Sequence, residues 1–383
     1  MRREVQKIVV ERKIRDRAKK VGIMAFNSGI SIKKFFWLLA AFLAVFCSAG
    51  VSPVRAESGP ALKNPNSKLG KIVLGYYTED YPKDRLSYDS LNANALLIDA
   101  AAMFNYTFDE NGYLSGQLTN DIKTASQKGV TCLALVHNYT GYFNGALAYN
   151  VLSSSKKRKN LEYSILYLIK KQGYKGVNID IEGLPPAARA AYTAFLWELR
   201  QLFAPYGYIL TVSVPAKTRD DPYNSWSGAY DYREIGKAAD LVCIMTYDEH
   251  WPGGHPGPIA SLPWVQKVLD YAIAVMPRPK ILMGIPAYGY DWSAAGTKTV
   301  RWRDAKELAA RYGGGGWDNY SCCPYFIYYG KDGQRHEVWY ENKYSLKIKL
   351  DLAKNYGVAG IAFWRMGFED ESFWQTVVEK FKV

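Results

Sequence analysis

Cysteine and histidine are scarce in this chain of 383 residues, with five and four copies. Cys47 lies in the N-terminal leader, which leaves Cys132, Cys243, Cys322 and Cys323 for everything after it, too few for a disulfide framework. Cys132 and Cys243 sit in apolar runs and are expected to pack as small hydrophobes. The adjacent Cys322 and Cys323 read either as a vicinal disulfide or, more simply, as two exposed thiols. No CxxC or HExxH spacing occurs, so no metal and no cofactor is implied. The scattered His137, His250, His255 and His336 read as structural or surface residues. No phosphate cradle appears either: Gly313 to Gly316 lack the Lys-Ser/Thr ending, and the first strand-like run ends Gly75-Tyr76-Tyr77-Thr78. A basic patch for a polyanion is also missing. The net charge of +13 sits mainly in residues 1–56, which hold twelve Lys/Arg against three Asp/Glu, leaving +4 for the remainder. Nucleic acid is therefore excluded as a partner. The charge run 156–159 reads as a solvated helix start.

The leader itself is informative. Residues 35–51 form 17 uncharged, mainly apolar positions behind Lys33 and Lys34, followed by Val54-Arg55-Ala56. That order is a charged region, an apolar region and a small-residue cut site after Ala56, the layout of a signal peptide. The run also reaches the lower limit for a membrane span, so an uncleaved N-terminal anchor is the alternative. Both place the following residues outside the cytoplasm, secreted or membrane-anchored. Residues 57–70 read as a polar linker.

From residue 71 to 383, short apolar runs alternate with helix-like stretches. Strands are expected at 72–77, 95–104, 131–136, 176–181, 209–214, 241–246, 281–286 and 360–363. Helices are expected at 120–128, 159–171, 186–203, 232–239, 262–275, 346–356 and 371–381. Eight strands alternating with helices are the count for an α/β protein of the (β/α)8 TIM-barrel type, which needs about 250 residues. The surplus, about 293–342, breaks the alternation and reads as a small α+β insertion after strand seven.

The fourth strand carries the chemistry. In the segment from Gly173 to Gly183, period-two alternation turns Val177, Ile179 and Ile181 toward the helices and Asn178, Asp180 and Glu182 toward the barrel interior. Asp180 and Glu182 start about 6.6 Å apart along the strand, close enough to interact. Interior barrel positions ordinarily take branched apolar side chains, so a polar column needs a reason. Glu182, last and nearest the C-terminal mouth, suits a general acid whose pKa a neighbouring Asp180 carboxylate raises. No second carboxylate offers itself as nucleophile, so a substrate that supplies its own would complete the chemistry.

These residues carry a resemblance. Lys175-Gly-Val-Asn-Ile-Asp-Ile-Glu182 resembles the DGxDxDxE strand of glycoside hydrolase family 18, and the likeness continues along the barrel. It includes Gly75-Tyr76-Tyr77, Met245-Thr246-Tyr247-Asp248, Gly284-Ile-Pro-Ala-Tyr-Gly-Tyr290 and Phe363-Trp364. The stretch 247–271 is similar to the bacterial spore-cortex and germination branch of that family. The resemblance implies substrate-assisted, retaining hydrolysis of a β-linked N-acetylglucosaminide, outside the two-carboxylate scheme. It assigns Glu182 as proton donor, Asp180 as the group that orients the acetamido N–H, Tyr247 as a hydrogen-bond partner of the acetamido oxygen, and Trp364 as the apolar floor. Tyr76, Asn178, Asp248, Trp251 and Tyr288 are the further candidates for substrate contacts. Of Tyr288 and Tyr290, only one is expected to face inward. Lys175 and Asn178 depart from the motif, each standing where the family has Asp. An amide at 178 deprives Asp180 of a partner for a shared proton, which bears on the pH optimum.

The expected partner is thus a polysaccharide, peptidoglycan or a chitin-type glycan. Against the leading N-acetylglucosaminidase reading stand a chitinase with the same mechanism and a catalytically silent sugar-binding barrel. The linker is too short to hold a LysM wall-binding repeat.

Overall fold

The computed structural model describes residues 62–117, 121–331 and 333–382. The basic leader, the apolar run 35–51 and the start of the linker lie outside the described residues. Among the described residues, no helix is long and apolar enough to cross a membrane.

The strands run β1 (Ile72–Tyr77), β2 (Ala100–Phe108), β3 (Leu114–Gly116), β4 (Thr131–His137), β5 (Gly176–Asp180), β6 (Ile209–Pro215), β7 (Leu241–Met245) and β8 (Ile281–Pro286). After them come β9 (Tyr288–Ser293), β10 (Gly296–Arg301), β11 (Gly316–Asp318), β12 (Cys323–Tyr329), β13 (Arg335–Trp339) and β14 (Gly360–Trp364). Strands β1, β2, β4, β5, β6, β7, β8 and β14 pair in parallel, each with the next, and the β14–β1 and β1–β2 ladders close the ring. This is the expected (β/α)8 barrel. β3 only extends β2 as an antiparallel hairpin.

Helices α1 (Leu86–Asn94), α2 (Asp121–Gln127), α3 (Gly145–Ser153), α4 (Ser155–Gln172), α5 (Arg189–Phe203), α6 (Tyr232–Ala238) and α7 (Leu262–Val275) cross between the strands. α8 (Trp302–Arg311) belongs to the insertion, and α9 (Lys343–Asn355) and α10 (Glu371–Phe381) flank β14. Local chemistry sets their ends. Ser154, Asp231, Ser261 and Asn342 cap the starts of α4, α6, α7 and α9 with side-chain oxygens, and Gly173 closes α4 in the left-handed conformation.

Alternation along each strand divides the core in two. Val177, Ile179, Val212, Val242 and Ile361 face outward and bury the apolar stripes of the helices. Leu74, Ala102, Leu133, Leu135, Cys243, Leu282 and Ala362 face inward and fill the barrel. Strands buried on both faces have to be apolar throughout, which is why each reads as a short continuous run.

The second sheet, in the order β10-β9-β13-β12-β11, is antiparallel throughout and lies in sequence between β8 and α9. α8 covers one face of it, packing Ala305 and Ala309 with Phe326, Val338 and Tyr340.

Several details differ from the sequence reading, which had no helix at α1 or α3. The second strand starts at Ala100, because residues 95–97 form one 3-10 turn that the apolar pattern reads through. The insertion sheet begins at Tyr288, upstream of residue 293. The thiols of Cys322 and Cys323 are free, but Cys323 is buried, so two exposed thiols was the wrong expectation for it. Its Sγ lies 3.7 Å from both Lys349 Nζ and Glu341 Oε1, whose own buried ion pair spans 2.8 and 2.9 Å.

Candidate active site

Polar residues gather at the C-terminal end of the barrel, beginning inside β5. Asn178 is completely buried and fully engaged. Its Nδ2 donates to Thr211 Oγ1 at 2.8 Å, and its Oδ1 accepts from Ser213 Oγ at 3.0 Å. Ser213 in turn shares a hydrogen bond of 2.8 Å with the Tyr76 hydroxyl. Tyr76, Ser213, Asn178 and Thr211 therefore form one chain across three strands, beneath the acid above them. Asn178 and Tyr76 are sequestered in this chain, and Tyr76 meets the mouth only through its ring, 5.4 Å from that of Trp364.

Asp180 ends β5 at 4% exposure, and its Oδ1 has no hydrogen-bond partner. Desolvation pushes its carboxyl up to about 7, against a lowering by the Ser213 hydroxyl. Glu182 sits just beyond the strand. Burial raises its carboxyl well above the ordinary range, and the negative charges of Asp180 and Asp248 raise it further. This is the arrangement in which one carboxyl holds its proton because its neighbour is ionised.

The backbone that carries Glu182 is clamped from two sides. Asn138, buried in the loop after β4, accepts from Glu182 N–H at 2.9 Å and donates to Glu182 C=O at 2.8 Å. The Tyr230 hydroxyl donates to Ile181 C=O at 2.9 Å. Tyr230 itself is anchored through its carbonyl, which accepts from the Lys217 ammonium at 2.5 Å. Behind the acids lies Tyr192 of α5, buried, its hydroxyl unpartnered and its ring edge-on to Tyr230.

Tyr247 and Asp248 follow β7. The Tyr247 ring occupies the space that a side chain at Gly284 would need, since a Cβ built there would lie 2.9 Å from Tyr247 Cε1. Burial raises the pKa of its hydroxyl, as do Asp180, Glu182 and Asp248, so it faces the acid pair as a neutral donor. Asp248 takes a positive φ of 59°. Its Oδ1 accepts from Tyr288 at 2.5 Å and from Tyr290 at 2.8 Å. Both tyrosines point the same way, correcting the expectation that only one faces inward: residues two apart share a face of a strand.

Trp364 ends β14 and packs, as Tyr247 does, against the cluster of Ile259, Tyr288, Tyr290 and Trp292. Trp251 stands on the loop after β7, 56% exposed, with its ring against Gly253 and Gly254. Asp180, Glu182, Tyr247, Asp248, Tyr288 and Trp364 thus converge at one mouth, Tyr76 and Asn178 support it from below, and Trp251 lies on its outer loop. Sequence reasoning missed Asn138, Ser213, Tyr230 and Tyr290. Of these, Tyr290 had a signal in its period-two relation to Tyr288, and Ser213 a weaker one as a small polar residue in a mainly apolar strand. Among the described residues, no group of three or more His, Cys, Asp and Glu is placed to hold a metal ion.

A family model described as glycosyl hydrolases family 18 matches residues 72–369. The chain is 36% identical over 319 residues to an uncharacterized glycosylase of Bacillus subtilis, YvbX, covering 81% of this chain and 92% of that one. The crystal structure of the Bacillus cereus spore cortex-lytic enzyme SleL superposes with a TM-score of 0.77 at 29% identity, over 82% of this chain and 75% of that one. A chitinase from Chromobacterium violaceum gives a TM-score of 0.76 at 31% identity, over 81% and 98%.

Proposed function

Because the chain belongs to the glycosyl hydrolases of family 18, a glycosidase family, we propose that it cleaves β-1,4-linked N-acetylglucosaminides of peptidoglycan or spore-cortex fragments. The observation that carries this reading is the acid pair at the end of the fourth barrel strand: Glu182 on a clamped backbone, its carboxyl raised by burial and by its acidic neighbours, with a desolvated Asp180 beside it. The likeness to SleL favours the cortex-type polymer. The likeness to a bacterial chitinase supports the second reading, a chito-oligosaccharide hydrolase with the same chemistry.

In the proposed reaction the sugar stacks on Trp364. Glu182 gives its proton to the glycosidic oxygen as the bond to the anomeric carbon breaks. The acetamido oxygen of the same sugar attacks that carbon and forms a cyclic oxazolinium ion. Asp180, ionised, holds the acetamido N–H and balances the cation. The Tyr247 hydroxyl donates to the acetamido oxygen and fixes its line of attack. Water then adds to the anomeric carbon, Glu182 takes the water's proton, and the ring opens with configuration retained. Asp248, held by Tyr288 and Tyr290, keeps Oδ2 for a substrate hydroxyl. The charged, apolar and small-residue order of residues 33–56 supports a location outside the cytoplasm, on a secreted or membrane-anchored protein.

The test is a digest of spore cortex, vegetative peptidoglycan and chitin oligomers by the wild type and Glu182→Gln, with products identified by mass spectrometry. Loss of the proton donor should lower the rate by about 10²-fold or more. The polymer that yields reducing N-acetylglucosamine ends names the substrate. Binding of the polymers without cleavage by either protein would replace the enzyme reading with a sugar-binding one.

A further inference from the structure

We infer that His137 is a sugar-contacting residue, whose neutral imidazole presents Nε2–H to an uncharged acceptor oxygen of the glycan lying on Trp364. The inference rests on the proposed glycan substrate and deepens it by naming a contact.

Placement comes first. The inward column of β4 is Leu133, Leu135 and His137, in register with Gly176, Asn178 and Asp180 of β5. His137 therefore stands at the level of Asp180 on the neighbouring strand. Its ring stacks on Phe104 of β2, 4.1 Å away and tilted by 11°. Phe104 meets Trp364 edge-on at 5.6 Å, and Trp364 meets Tyr76 at 5.4 Å. These four rings line strands β1, β2, β4 and β14 as one aromatic arc beside the acids. A sugar resting on Trp364 has its apolar face served by this arc, and the arc's polar ring atom at the β4 end belongs to His137.

The proton is assigned by the hydrogen bonds. Nδ1 lies 3.1 Å from the backbone N–H of Tyr139 and accepts from it, which leaves the ring proton on Nε2. Nε2 makes no hydrogen bond to the protein, yet it is not among the buried atoms sealed without a partner. The residue is only 7% exposed, so the outlet for that N–H is narrow. Burial also lowers the imidazole pKa to about 4, so the ring stays uncharged at neutral pH. A neutral, fixed, unpaired donor suits a sugar hydroxyl or an amide carbonyl, and gives an anionic group no charge to pair with.

Two substitutions separate contact from packing. His137→Phe keeps the stack on Phe104 and removes the donor, whereas His137→Gln keeps an N–H at similar reach and removes the ring. With a soluble N-acetylglucosamine tetramer and with cortex fragments, His137→Phe should lose about 5–10-fold in kcat/KM, carried mainly by KM, at unchanged melting temperature. His137→Gln should recover part of that loss. An active wild type with an indistinguishable His137→Phe would overturn this inference and leave the proposed function standing. A loss shared by both variants together with lowered melting temperatures would make His137 a packing residue and overturn it too. A wild type that neither binds nor cuts these glycans would overturn both readings.

Discussion

Replacing Asp180 with Asn should make the protein more stable above neutral pH while abolishing most of its activity. The carboxyl is 4% exposed, one of its oxygens has no partner, and its pKa rises to about 7 because burial disfavours the charge. An acid whose folded pKa lies above its unfolded value binds more protons in the native state than in the unfolded one between those two values. Stability from this group is therefore full below about pH 4 and falls as pH rises toward 7. Each pH unit inside that window costs about 1.4 kcal/mol, so between pH 5 and pH 8 Asp180 alone should remove about 3 kcal/mol of folding stability. An amide has no such term. Urea unfolding followed by tryptophan fluorescence at the two pH values measures the difference directly. The gap between Asp180→Asn and wild type should widen by about 3 kcal/mol from pH 5 to pH 8. Meanwhile kcat/KM should drop by about 10²-fold or more, because the cation loses its counter-charge. Parallel stability curves for the two proteins would refute the claim that Asp180 is held in a strained, desolvated state for its chemistry.

Two further perturbations test the supports around and away from the site. Asn138→Leu removes both hydrogen bonds to the Glu182 backbone and strands a buried N–H and C=O, at a cost of about 2–4 kcal/mol in denaturant titration. Its kcat/KM per folded molecule should fall at least about tenfold, through misplacement of Glu182; an unchanged value would show that Tyr230 alone fixes the strand end. Lys349→Met leaves the Glu341 carboxylate buried without its cation and should cost about 3–5 kcal/mol, whereas the double change with Glu341→Leu should regain most of it. Activity per folded molecule should hold in both, and a large activity loss would contradict the placement of this pair away from the acids.

Period-two and alternation patterns made the barrel legible, because strands covered on both faces have to be apolar throughout and their order along the chain is their order around the ring. The same rule put Asn178 and Asp180 inside, since an acid at an inward position has no packing reason to be there. Asn138 and Tyr230 left no such trace. Each lies in a loop whose sequence says nothing of its neighbours, and each acts through side chain to backbone bonds across 44 and 49 residues. Ser213, like Thr211, is small and polar in a mainly apolar strand, a weak signal that acquires meaning only once Asn178 is seen to accept from it.

The departure of Asn178 from the acidic motif has a physical consequence that sequence alone could state only as a missing partner. A carboxyl at 178 could trade a proton with Asp180. The amide cannot, and its Nδ2 and Oδ1 are already committed to Thr211 and Ser213. Ser213, whose proton goes to Asn178, only opposes the rise that burial imposes on the Asp180 carboxyl. Asp180 Oδ1 has no hydrogen-bond partner. Under the proposed function that oxygen would take the N–H of the substrate's acetamido group. The site then gains a hydrogen bond to a charged acceptor, and a sugar with a bare 2-hydroxyl in place of the acetamido group brings neither that N–H nor the internal nucleophile. Under the proposed function, selectivity for N-acetylated sugars would follow from the same desolvated carboxyl whose removal should stabilise the fold above neutral pH.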